Sequence, residues 1–167
     1  MIYLFLKRFL LLLGILALQV LVCNNIHLYG YATPMVCALF VIRMPLNVGR
    51  IPCMMWAFAL GLLTDMFSNT PGETVGSLTF TAFVAPPLLQ AMVTKESLED
   101  MVPGYRTMGV WNHIRYATIL TLVQHISYYA LAFFSFFNMQ QILISLGSSL
   151  LLSLLFILSL ESLAHGQ

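Results

Sequence analysis

Residues 142–160 read ILISLGSSLLLSLLFILSL, nineteen positions without a single charge. A helix crossing a bilayer core of roughly 30 Å needs about 20 predominantly apolar residues, and this stretch supplies them in one piece. Within it Ser145, Ser149 and Ser153 recur at i, i+4 and i+8, with Gly147 and Ser148 beside them. A stripe of small residues on an apolar helix is a packing seam. In lipid, close backbone approach and interhelical hydrogen bonds, not the hydrophobic effect, bring helices together.

The rest of the chain is written for the same solvent. Of 167 residues, 60% are hydrophobic and only 8% charged, against about 45–50% and about 25% in an average soluble domain. The mean hydropathy is +0.90. Seven Lys and Arg against six Asp and Glu leave a net charge of +1, which excludes a nucleic-acid binder with a basic face. So few charges also exclude a soluble enzyme. Five further apolar runs precede the first: 9–26, 31–44, 52–67, 75–93 and 116–134. They are too long for barrel strands and lack apolar/polar alternation. Asn24-Asn25, Asn47-Val48-Gly49 and Ser68-Asn69-Thr70-Pro71-Gly72 read as turns, and Ser135 to Gln141 as a tight helical hairpin. The expected fold is all-α: one integral membrane domain over 1–167, a polytopic bundle of six transmembrane helices with a loop at 94–115.

The cations orient it. Lys7 and Arg8 precede the first run, Arg43 and Arg50 flank the link between runs two and three, and Lys95, Arg106 and Arg115 lie between runs four and five. With six crossings all seven fall on one side, an arrangement that random placement yields about one time in sixty-four, and the positive-inside rule makes that side the cytoplasm. Both termini are then cytoplasmic, Tyr29 and Tyr31 lie at the outer interface and Trp56 near the inner one. Lys7-Arg8 ahead of an apolar stretch imitates a signal peptide, but Val22 before Cys23 is not small and the remaining chain is equally apolar, so a first membrane helix is the better reading. Cys23, Cys37 and Cys53 show neither metal-ligand nor disulfide spacing and read as buried small apolar residues. The loop at 94–115 reads as a solvated connector or, given Tyr105 and Trp111, as a segment docked on the inner interface.

A charge at membrane depth costs about 2.5–3.5 kcal/mol on insertion scales and is a site candidate by default. Asp65 is the strongest. It either bonds the backbone of the Ser68–Gly72 turn and pins the start of the next helix, or it organises a cavity or faces a partner helix. Ser68, Asn69, Gly72 and Glu73 belong to the same cluster. Gln19, Gln90, Gln124 and His125 read as interhelical hydrogen-bond partners. His125 has no second ligand at i+3 or i+4, Asp65 has no intramembrane Asp partner, and no GxSxG or HExxH occurs. No catalytic residue, cofactor or metal is expected. Ala57 and Gly61 form a second small-residue seam beside that of Ser145, Ser149 and Ser153.

The segment Gly61-Leu62-Leu63-Thr64-Asp65-Met66-Phe67-Ser68-Asn69-Thr70-Pro71-Gly72 resembles the end of the third helix in the bacterial rod shape-determining protein MreD family. Arg106-Thr107-Met108-Gly109-Val110-Trp111, Ile114-Arg115-Tyr116 and Phe134-Ser135-Phe136-Phe137-Asn138 resemble its Bacteroidetes-like branch. The resemblance implies a non-enzymatic scaffold of the cell-elongation machinery in the cell inner membrane, which helps position peptidoglycan synthesis. Its partners would be an MreC-like bitopic protein, a RodA-type glycosyltransferase, a penicillin-binding transpeptidase and MreB-like filaments. It also implies a fold similar to the substrate-binding subunit of energy-coupling-factor transporters, with Asp65 and the Ser68–Gly72 turn lining an outward pocket or partner groove. The alternative is a vitamin-binding transporter subunit, in which Asp65, Glu73, Gln90 and His125 supply polar groups to an aromatic-walled pocket.

Overall fold

The computed structural model describes residues 2–23, 34–45, 48–93, 102–132 and 139–165. Among these there are seven helices and no strand: α1 (Ile2–Leu21), α2 (Ala38–Ile42), α3 (Arg50–Ser68), α4 (Glu73–Met92), α5 (Tyr105–Met108), α6 (Val110–Ala132) and α7 (Met139–His165). The turn expected at Asn24-Asn25, the interfacial Tyr29 and Tyr31, Asn47, the loop over 94–101 and the hairpin residues Ser135 to Asn138 lie outside the described residues.

Helices α3, α4 and the 143–162 part of α7 are long and apolar enough to cross a membrane. Helices α1 and α6 have 20 and 23 residues, but Lys7-Arg8 interrupts one, and Asn112, His113, Arg115, Gln124 and His125 dilute the other. Their solvent shows in where the apolar groups point. Phe58, Leu62, Phe80, Phe83, Ile126 and Leu155 are exposed, whereas Thr64, Ser77, Thr81, Gln124, His125 and Ser149 are buried. A polar interior wrapped in exposed aliphatic and aromatic side chains is the arrangement lipid selects.

Helix α3 packs along α4, α4 along α6 and α6 against α7, while α1 leans on α3. The α3–α4 contact is set by Gly61. A Cβ there would meet Val75 Cα at 2.7 Å, Val75 N at 3.0 Å and Thr74 O at 3.1 Å. Backbone meets backbone, so no other residue fits without a shift. Ala57, one turn earlier on the same face, is also fully buried.

Three parts differ from the sequence reading. The loop expected at 94–115 holds α5 and the first six residues of α6, 110–115, so the helix expected from 116 starts earlier. Helix α1 begins at Ile2, so Lys7 and Arg8 lie within it instead of ahead of it. Long cationic side chains lie along an apolar helix and carry their charges to its end. The second run holds only the five-residue α2, preceded by non-helical backbone over Pro34–Cys37, all of it buried. Non-helical backbone is tolerated at membrane depth only inside protein, with its polar groups bonded. Three side-chain bonds meet that condition. Gln19 Nε2 donates to Pro34 O (3.1 Å), Val36 N–H donates to Gln19 Oε1 (2.8 Å), and Met35 N–H donates to Ser153 Oγ (2.8 Å).

Candidate functional site

Asp65 sits at the end of α3, where the chain must turn into α4. Asn69 closes α3 in the left-handed conformation at φ 58°, and its N–H returns to Asp65 O. Asn tolerates that conformation better than most residues. Gly72, at φ 89°, precedes Glu73, the first residue of α4. Four donors then converge on the Asp65 carboxylate. Thr70 Oγ1 and Thr74 N–H donate to Oδ1, and Gly72 N–H and Val75 N–H donate to Oδ2, each at 3.0 Å. Three of the four are backbone N–H groups at or beside the N-terminus of α4, which lack partners within the helix and lie at its positive dipole end. A buried carboxylate therefore satisfies the turn and the helix start together, and its charge is held by directed donors instead of water.

The remaining polar groups form two sets. In the first, His125 Nδ1 faces Thr121 O at 2.8 Å and must donate to it. Nε2 is then an acceptor for Ser153 Oγ–H at 3.1 Å, while Ser153 Oγ takes the Met35 N–H. Tyr129 Oη lies 2.8 Å from Ser149 Oγ and donates to Ser145 O at 3.2 Å. All three seam serines are thus buried and in contact with α6. Ser153 and His125 touch, but the imidazole is oriented by a carbonyl and not a carboxylate, and the serine oxygen is capped by an amide. Neither residue lines the cavity that adjoins the Asp65 turn.

The second set encloses a cavity of about 330 Å³ beside the Asp65 turn. Its polar lining comes from Gln19, Thr64, Ser68, Thr70, Thr74, Gln124 and Tyr128, and its apolar lining includes Met35 and Phe67. Gln124 is 0% exposed, and neither its amide nitrogen nor its amide oxygen has a partner among the described residues. An unpaired buried amide group costs about 1–3 kcal/mol per atom, so this side chain is unsatisfied by the bundle itself. Glu73, half-buried, hydrogen-bonds the Tyr128 hydroxyl at the same end. Ser68 and the Asp65 turn border the cavity, whereas Gln90 is exposed near the far end of α4 and His125 points to α7. Of the four residues expected as interhelical partners, Gln19 and His125 pair across elements, Gln124 has no partner among the described residues, and Gln90 is exposed instead of interior.

At the opposite end of α3, His113 and Glu161 form a buried hydrogen-bonded pair between α6 and α7, with the Tyr105 ring edge-on to His113 at 4.8 Å. Burial, with the Glu161 charge beside it, pushes the Tyr105 phenol above its ordinary value. Sequence reasoning passed over this pair, although the signal was present. Glu161 continues the stripe 145, 149, 153 at the same four-residue step, and His113 stands in the same relation to Thr121 and His125. Among the described residues no three His, Cys, Asp or Glu side chains gather as a metal site. The three cysteines are buried and free.

No family model, no curated protein and no solved structure matches the chain.

Proposed function

We propose that the protein is a non-enzymatic, multi-pass scaffold of the inner membrane, of the MreD type, and that the cavity beside the Asp65 turn receives a polar segment of an MreC-like bitopic partner. The supporting observation is Gln124, a fully buried residue in the cavity wall whose amide nitrogen and oxygen have no hydrogen-bond partner among the described residues. A partner group with both a donor and an acceptor satisfies it, and desolvated hydrogen bonds of that kind fix register between packed helices. The Asp65 clamp holds the rim of the cavity rigid, so the partner meets a preformed surface.

The test is co-purification from membranes in mild detergent, with and without crosslinking. Gln124→Leu removes the amide without opening a void. Because the amide has no partner among the described residues, this variant keeps or raises the melting temperature while recovery of the MreC-like protein falls at least about tenfold, the equivalent of one lost buried hydrogen bond of about 1.4 kcal/mol. Unchanged recovery, or no partner even after crosslinking, refutes the proposal.

The same cavity favours one other reading, a carrier for a small neutral polar molecule. Its groups are amides and hydroxyls, with Phe67 and Tyr128 as aromatic walls. Saturable thermal stabilisation by a vitamin, abolished in Gln124→Leu, would replace the scaffold with this reading.

A further inference from the structure

At the end of the bundle away from Asp65, Lys7 and Arg8 of α1 and Arg43 after α2 meet the segment Val102–Thr107 around a second cavity, of about 390 Å³. Its floor is apolar, from Leu11, Phe40 and Met44. Its one carboxylate, Glu161, is bonded to His113. With that carboxylate engaged, three cations face the cavity without an acid of their own among the described residues. The covering segment is fixed, since Thr107 Oγ1 donates to Val102 O at 2.9 Å and lies 3.1 Å from Gly104 O.

A groove runs on from this cavity along the flank of the bundle. It has about 250 Å³, and its lining includes Leu11, Gly14, Ile15, Leu18 and Arg43. Leu11 and Arg43 belong to both spaces. Lys7, Leu11, Gly14, Ile15 and Leu18 follow the i, i+4, i+7, i+8, i+11 pattern of one helix face. Gly14 leaves this face open, since a Cβ there meets nothing within 4 Å. One helix thus presents a cation, then an apolar channel.

We infer that the cavity and groove together form a binding site for one anionic phospholipid, its phosphate-bearing headgroup among Lys7, Arg8 and Arg43 and one acyl chain in the groove past Gly14. Basic pockets between membrane helices attract acidic headgroups, and the attached apolar groove distinguishes a lipid from a free phosphate, which has nothing to place there. The inference rests on the membrane reading and not on any protein partner.

The full-length protein, purified in mild detergent, is incubated with phosphatidylglycerol, phosphatidylcholine or diacylglycerol and read by native mass spectrometry. Phosphatidylglycerol is retained at least about tenfold better than the other two, since each cation near an acidic headgroup contributes a factor of about five. The triple variant Lys7→Gln, Arg8→Gln, Arg43→Gln loses that preference. Gly14→Leu loses retention although it adds a helix-favouring residue in open space and folds normally by circular dichroism. Arg50→Gln with Arg115→Gln, cations outside the cavity, leaves retention unchanged. Equal retention of the three lipids, equal loss in the Arg50 and Arg115 control, or retention unaffected by Gly14→Leu overturns the inference. Glycerol 3-phosphate that displaces the bound lipid at equal concentration would make the site one for free phosphate and overturn it as well.

Discussion

Replacing Asp65 by Asn keeps the shape of the side chain and exchanges one acceptor oxygen for an NH2 group. Each carboxylate oxygen receives two donors, so either orientation of the amide sets a donor against donors. The better orientation places Nδ2 toward Thr70 and Thr74, because the Thr70 hydroxyl can turn and accept. That leaves the Thr74 N–H, which is buried, without a partner, at about 1–3 kcal/mol. Loss of the negative charge at the start of α4 adds about 0.3–1 kcal/mol. The sum, about 1.3–4 kcal/mol, corresponds to a fall of roughly 3–16 °C at about 2–4 °C per kcal/mol for a chain of this size. Asp65→Ala strands all four donors and falls further, whereas Glu73→Ala, at a half-buried position with one hydroxyl partner, falls less. Trp56, packed between Phe5 and Phe40 at 5.0 and 6.4 Å, reports unfolding by its intrinsic fluorescence in detergent. An Asn variant within about 2 °C of the native protein would refute the clamp.

Gly61→Ala gains about 1 kcal/mol of helix propensity, but its Cβ would overlap the α4 backbone at 2.7 Å. The overlap wins, with a net loss of about 1–3 kcal/mol and a lower melting temperature; an unchanged one would mean that α3 and α4 are further apart. Ser153→Ala unpairs the Met35 N–H and His125 Nε2, at about 2–6 kcal/mol, and Ser153→Thr restores most of it; equal losses in the two variants would show that the hydroxyl is not the reason. A reporter fused after Gln167 is active in the cytoplasm, and periplasmic activity there would mean an odd number of crossings.

How much of this could be read in advance divides along the line between local and distant causes. The cores of α3, α4 and α7 follow from apolar length, because a spanning helix bonds its own backbone and needs little else. The Asp65 turn was legible for a related reason: the acid, the Asn, the Pro and the Gly lie within eight residues, so the motif closes on itself. The second run was not. Its 14 residues suggest a helix, but Pro34–Cys37 is held non-helical by Gln19 and Ser153, which lie 15 and 118 positions from their bonding partners, and no local pattern encodes that. Gln124 marks the same limit. Helical spacing puts it beside His125 on the buried side, yet whether a partner stands opposite depends on five other elements. The His113–Glu161 pair was within reach, since both continue an i+4 stripe, and was hidden by ending the sixth run at Leu160.

The claim beneath all of this is that the Asp65 turn and the cation-rich end lie on opposite faces of a membrane. The native cysteines are buried, so single cysteines placed at Asn69 and at Arg50, both exposed, can be probed in intact cells with an impermeant maleimide. The account predicts labelling at position 69 from outside and at position 50 only after permeabilisation. Labelling of both from the same side would contradict it.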